Sequence, residues 1–245
     1  MLKNRYALIT GSTSGIGKAI AEVFAENGAK VILHAKDTKK LDAAVLELED
    51  KGFDVFGISF DVGDQASVKS GFMELKKKTK QLDILVNNAG VMEVGALMSI
   101  SEQKLHELFA TNTFGAFFTS QLASRMMMKQ KSGSIINIGS VMGERGEAFH
   151  SAYAATKAAL SALTKSLAKE FAPFSIRCNT IAPGVVETPM TESMSDEERE
   201  KFLNRIDLKR FADPKEVANV ALFLASDLAS YITGKTIEVD GGMSE

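Results

Sequence analysis

Residues 10–17 read TGSTSGIG, and the fold turns on how this stretch is interpreted. Before it, YALIT (6–10) is a short β-rich run. After it, Ile16, Ile20, Val23, Phe24 and Asn27 trace one stripe at helical spacing, stopped by the glycine of ENGAK (26–30). Gly11, Gly15 and Gly17 therefore stand where a strand turns directly into a helix. Glycine lets backbone approach a ligand closely, and a helix start offers unpaired N–H groups and a positive dipole end to a pyrophosphate. At the head of a βαβ unit, this turn predicts a dinucleotide site.

Working outward, further β-rich runs follow: KVILHA (30–35), DVFGISF (54–60), DILVNNA (83–89), SIINIGS (134–140), SIRCNTIA (175–182) and KTIEVD (235–240). Helical patterns separate them. Several runs are apolar without strict alternation, as expected of parallel strands covered on both faces. The chain is thus expected to be α/β, a single Rossmann-type domain over 1–245 with a doubly wound sheet of seven parallel strands and helices on both faces. Ser195 with Glu198 reads as a capping box, and Asp213 followed by Pro214 reads as a cap and first-turn proline.

Composition excludes several classes. The 245 residues are 45% hydrophobic and 24% charged with a net charge of −2, which gives no electrostatic reason to expect nucleic acid or an anionic membrane. MLKNRYALIT runs straight into the glycine turn, so no signal peptide or membrane span is expected. Cys178 is the single cysteine, and His34, His106 and His150 lack metal-ligand spacing. No metal is expected, and a reducing cytoplasm fits.

The end of the second strand bears on which dinucleotide binds. An acid there would bind a ribose 2′-hydroxyl, whereas a base would accept a 2′-phosphate. The text is VILHAKD (31–37): Ala35 stands where the acid would be, Lys36 follows, and Asp37 comes later. The balance favours NADP(H) through Lys36; NAD(H), with Asp37 on the hydroxyl, is the alternative. Farther on, SAYAATKAAL (151–160) is rich in the best helix former, which stacks Tyr153 and Lys157 on one helix face at i and i+4.

With TGSTSGIG, NNAG (87–90), Ser140 upstream of YAATK (153–157), and APGVVETPM (182–190), the chain resembles the short-chain dehydrogenase/reductase family over nearly its whole length. Its second half is most similar to the 3-oxoacyl-acyl-carrier-protein reductases of that family. The resemblance implies an NADPH-dependent ketoreductase of fatty acid biosynthesis. Tyr153 would protonate a carbonyl oxygen, Ser140 would hydrogen-bond that oxygen, and Lys157 would lower the tyrosine pKa and hold the nicotinamide ribose. Asn112 would anchor a water on a proton relay. Gly11, Ser14, Gly15, Ile16 and Gly17 would line the pyrophosphate, Asp61 and Val62 the adenine, and Asn88, Ala89 and Gly90 the adenosine side. Pro183, Gly184, Val186 and Thr188 would hold the carboxamide end.

The resemblance also implies a homotetramer, with helices pairing over the small residues Ala154, Ala155, Ala158, Ala159 and Ala162. It implies an acyl carrier protein docked through Lys129 and Lys131. Residues 188–205, with TESMSDEEREKF (191–202), have the polarity and loop content of a mobile lid over the substrate. The sequence departs from those reductases at VMEVGALM (91–98), and at MGERGEAFHSA (142–152), which brings Glu144, Arg145, Glu147, Phe149 and His150 to the expected substrate mouth. These departures keep an alternative open, a reductase or dehydrogenase of a free ketone or secondary alcohol such as a sugar or steroid.

Overall fold

Ala7 and Ile9 face one side of the sheet and Leu8 the other, and this alternation divides the core in two. The computed structural model describes residues 1–192 and 194–244. Among these residues, the strands are β1 (Tyr6–Ile9), β2 (Lys30–Ala35), β3 (Val55–Ser59), β4 (Ile84–Asn87), β5 (Gly133–Ile138), β6 (Ile176–Pro183) and β7 (Thr236–Val239). They form one seven-stranded sheet in the order β3-β2-β1-β4-β5-β6-β7. Every pairing is parallel.

On one face lie α1 (Gly15–Glu26), α2 (Thr38–Asp50) and α9 (Pro214–Ala225). There Ile20, Phe24, Leu41, Val217 and Leu224 pack on Ile9, Val31, Leu33 and Val86. On the other face, α3 (Gln65–Lys78), α5 (Gly115–Gln130) and α7 (Ser151–Phe171) cover Leu8, Ile32, Leu85, Ile135 and Cys178. Side chains such as Phe24 and Phe72 are fully buried, each stabilising the fold by roughly 1.5–3 kcal/mol. The methionines of RMMMKQK belong here: Met126 and Met127 are core. Cys178 is a buried hydrophobe, and burial pushes its thiol up to about 12.

The strands end about where the sequence pattern places them, but the C-terminal residues of several runs leave the sheet. Asn88 and Ala89 follow β4, and Gly139 and Ser140 follow β5, so these residues belong to loops at one edge. Connections run outward in opposite directions from β1 and β4, so a crevice opens above their carboxyl ends, where doubly wound sheets bind ligands.

Three further helices frame that crevice: α4 (Glu102–Phe109), the one-turn α6 (Val141–Arg145) and α8 (Asp196–Arg205). A third, smaller core of Val141, Ala182, Val185, Phe202, Ile206, Phe211 and Met243 seats α8. The expected capping box of Ser195 with Glu198 is formed, and Asp213 caps the helix that Pro214 opens, with Glu216 completing a second box. No helix among the described residues is long and apolar enough to cross a membrane.

Candidate active site

The turn after β1 has the backbone its glycines allow. Gly11 and Gly15 sit at φ +64° and +53°, and a side chain at Gly17 would collide with the Gly11 carbonyl and the Asn88 amide. Where α1 begins, Ser14 makes no side-chain cap and no acid occupies the first turn. The first-turn N–H groups and the positive dipole end therefore stay available to an anion, so the turn suits a pyrophosphate. Ile16 packs half-buried on the first core, and the Thr188 side chain closes against Gly15.

Asn88, expected to line the adenosine side, turns inward instead. Its Nδ2 donates to the carbonyl oxygens of Thr10 (3.0 Å) and Gly11 (2.9 Å). Thr10 Oγ1 in turn accepts from the N–H groups of Asn88 and Ala89, each at 3.0 Å. Asn88 is thus a brace between the β4 loop and the glycine turn, and Ala89 and Gly90 follow it in that loop.

At the end of β2, Lys36 Nζ donates to Asp61 Oδ2 at 2.6 Å, and this contact holds the Asp61 carboxyl below its ordinary range. Asp37 is occupied elsewhere: its Oδ1 caps α2 by accepting from Lys39 N and Lys40 N. Val62 packs behind Asp61, against Gly115. Beyond β6, Gly184 N donates to Val239 O at 3.0 Å, with Pro183 ending the strand. Val186 is buried, and its carbonyl takes the Thr188 and Thr191 hydroxyls.

The fold brings the four expected catalytic side chains to this same edge. Ser140 caps α6: its Oγ accepts from Met142 N at 3.2 Å, which leaves its O–H free to donate. Tyr153 is buried one turn into α7, and burial pushes its phenol up to about 12, with Ser140 pulling the other way. Lys157 is also buried, and burial brings its ammonium down to about 8. Its Nζ donates to Ile138 O at 2.8 Å and lies 5.6 Å from the Tyr153 ring centroid. In this arrangement desolvation dominates at the phenol, and the ammonium is hydrogen-bonded to a carbonyl.

Asn112 lies in a π-helical turn, Ala110–Phe114, a distortion of the kind that re-aims a side chain. Its amide brackets Val91, accepting from Val91 N and donating to Val91 O, both at 2.8 Å, and it donates to Thr156 Oγ1 at 3.0 Å. A methyl group added at Gly90 would stand 3.3 Å from Asn112 Oδ1 and 3.5 Å from Lys157 Nζ, so the two side chains converge on that glycine.

The charges placed at the substrate mouth are spent internally. Glu144 takes the Ser161 hydroxyl, Arg145 pairs with Glu238 and with Asp240 (2.8 Å), and Glu147 pairs with Arg205 of α8 at 2.6 Å. Phe149 remains exposed with a left-handed backbone, and its carbonyl accepts from Gly95 N at 2.8 Å, joining the loops that carry the two departures.

Lys129 and Lys131 are exposed at the C-terminal end of α5, just before β5. They occupy the amino edge of the sheet, opposite Ser140 and Tyr153, so within one chain they do not flank the opening. A cleft of about 450 Å³ beside α1 is lined by Gly15 of the glycine turn and by Thr188 but holds none of the four expected catalytic side chains. Two residues have no role in the motif reading. Thr10, the first residue of the glycine motif, and the buried His34 both hold the turn.

A family model described as Enoyl-(Acyl carrier protein) reductase matches residues 11–244. The 3-oxoacyl-acyl-carrier-protein reductase FabG of Staphylococcus aureus is 43% identical over 244 residues, covering 99% of each chain. Among solved structures, a 3-oxoacyl-acyl-carrier-protein reductase from Brucella melitensis superposes with a TM-score of 0.94 at 32% identity, covering 99% of this chain and 92% of its own. A gluconate 5-dehydrogenase from Burkholderia cenocepacia, in complex with NADP and tartrate, superposes at 0.95 with 34% identity, covering 98% and 95%.

Proposed function

Because this chain belongs to the short-chain dehydrogenase/reductase family and is thereby an NAD(P)-dependent oxidoreductase acting on a carbonyl or hydroxyl group, we propose that it reduces the 3-oxo group of an acyl thioester with NADPH. One observation carries the chemistry: a free serine O–H and a protonated phenol converge beside a buried lysine at the carboxyl edge of β4 and β5.

When bound, the nicotinamide supplies the hydride. The chain's own groups do the rest. Tyr153, held protonated by burial, gives its proton to the carbonyl oxygen as negative charge develops there, and the Ser140 O–H donates to the same oxygen. Lys157 spends one N–H on Ile138 O, keeping two for a ribose hydroxyl and for the phenolate left behind. Asn112 Oδ1 already takes Val91 N–H and has a second lone pair toward the lysine, a place for a relay water. The open N–H groups of α1 would hold the pyrophosphate, and Lys36, now paired with Asp61, would hold the 2′-phosphate. Asp37 spends Oδ1 on its cap, whereas Lys36 offers a cation at the end of β2, which supports the NADPH reading.

Acyl thioesters are favoured by the full-length similarity to reductases named for them, and by a mouth whose charged side chains are paired internally while Phe149 is exposed. Carrier delivery of the thioester does not rest on Lys129 and Lys131 of the same chain. A free hydroxy acid is the second reading, supported by the likeness to a gluconate dehydrogenase at comparable identity. NADPH oxidation measured against acetoacetyl thioesters on carrier protein and on coenzyme A, an enoyl thioester, and free keto acids separates these readings. Turnover of the 3-oxo thioesters is expected. Reduction of the keto acids alone, or of the enoyl thioester alone, would replace the proposal.

A further inference from the structure

We infer that His34 is a positioning residue for the cofactor crevice, locking the glycine turn to the adenine wall through one defined imidazole tautomer. The inference rests on the dinucleotide reading of the site but not on the identity of the substrate. His34 is 2% exposed in β2, beneath the turn. Its Nε2 lies 3.0 Å from Phe60 O, which can only accept, so that nitrogen carries the hydrogen. Its Nδ1 faces Gly11 N at 3.2 Å, which can only donate, so Nδ1 is the bare acceptor. The backbone of the same residue completes the clamp: His34 N donates to Ser12 Oγ at 2.8 Å, and Ser12 N donates to His34 O at 3.0 Å.

Gly11 is thereby held at both of its polar groups, its N–H by His34 and its carbonyl by Asn88. Glycine adopts positive and negative φ about equally, so two opposed hydrogen bonds help to hold Gly11 at its φ of +64°. On the other side of the ring, Phe60 immediately precedes Asp61, and the His34 and Phe60 rings lie tilted at 46° with centroids 3.9 Å apart. One side chain thus sets the separation between the turn that receives the pyrophosphate and the wall that receives the adenosine end. A second proton would place Nδ1–H against Gly11 N–H and open the turn. Burial opposes that protonation, bringing His34 down to about 4.

The two ring nitrogens can be tested separately. An asparagine places a polar atom where Nδ1 stands and cannot reach Phe60 O; a glutamine extends to the Nε2 position and leaves Gly11 N–H without a partner. Dissociation constants for NADPH, read from nicotinamide fluorescence, are expected to rise about tenfold in both variants, because His34→Asn loses Phe60 O and His34→Gln loses Gly11 N–H, and each leaves one buried group without its partner. An unchanged constant in either variant overturns the inference. If either variant fails to fold, nitrogen-15 NMR of the unsubstituted protein decides: the Nε2–H tautomer is expected with and without NADP+, and an Nδ1–H tautomer overturns it. Failure of the unsubstituted protein to bind NADPH at all would instead overturn the dinucleotide reading, and this inference with it.

Discussion

The Lys157 ammonium lies 5.6 Å from the Tyr153 ring yet donates to Ile138 O at 2.8 Å, so the lysine is tied to the end of β5 and reaches the tyrosine only as a neighbouring charge. This divides the labour between them. In the proposed mechanism the phenol would hold the proton that moves, and the lysine would hold the place of the groups around it.

Tyr153→Phe removes that proton and little else, because the ring stays in its buried seat. Turnover is expected to fall by about 10²–10⁴, the usual worth of a positioned general acid, with the NADPH dissociation constant nearly unchanged. Steady-state kinetics and a binding titration check both halves, and an active variant would remove Tyr153 from the mechanism.

Lys157→Met tests the buried ammonium. Its folded pKa, about 8, lies below its ordinary value of 10.5, so between those pH values the unfolded chain holds more protons and stability rises with pH. The variant should lose that rise in denaturant unfolding between pH 8 and 10.5, and should also lose turnover. An unchanged slope would show that the lysine is solvated.

His34 acts over a lower window with the same sign. Its folded pKa of about 4 lies below the ordinary 6.5, so stability is full above pH 6.5 and declines as pH falls toward 4. The loss amounts to roughly 3 kcal/mol at 1.36 kcal/mol per pH unit. Asp61 faces the ring and pulls the other way, with Lys36 paired to that carboxylate. His34→Asn should flatten the profile between pH 4 and 6.5, and acid unfolding curves of the two proteins measure it.

Lys36→Ala is expected to raise KM for NADPH roughly five- to tenfold while leaving NADH little affected, since one charge-assisted contact to a 2′-phosphate is lost. Specificity constants with both reduced cofactors decide. A protein already preferring NADH would contradict the role given to Lys36.

The exposed faces of α5 and α7 bear on assembly. Phe114 and Phe117 are about half exposed, at 47% and 48%, and Ala155, Ala158 and Ala162 leave α7 open to close approach. A homotetramer is expected by light scattering at micromolar concentration, and Ala158→Glu should reduce the mass by burying an unpaired charge in the helix pairing. A monomeric mass for the unsubstituted protein would dispose of the expectation.

Much of the fold could be read along the chain because it rests on short-range physics. Strand runs, the helical stripe from Ile16 to Phe24, the caps at Ser195 and Asp213, and the i to i+4 pairing of Tyr153 with Lys157 are set by residues within a few positions of one another. The glycine turn was legible for the same reason, since the backbone there must bend whatever surrounds it.

Partners far apart in sequence were not legible, because packing chooses them. Glu147 meets Arg205, Arg145 meets Asp240, and Asn88 reaches back to Gly11 only after the sheet brings their loops to one edge. Nothing near His34 in the chain announces its contacts with Gly11 and Phe60, and nothing near Lys129 tells that α5 carries it to the wrong edge for the site. Local pattern governs which elements form and where glycine or proline interrupts them. Which way a polar side chain then points depends on the donors and acceptors that burial leaves within reach, and those come into being only when the strands pair.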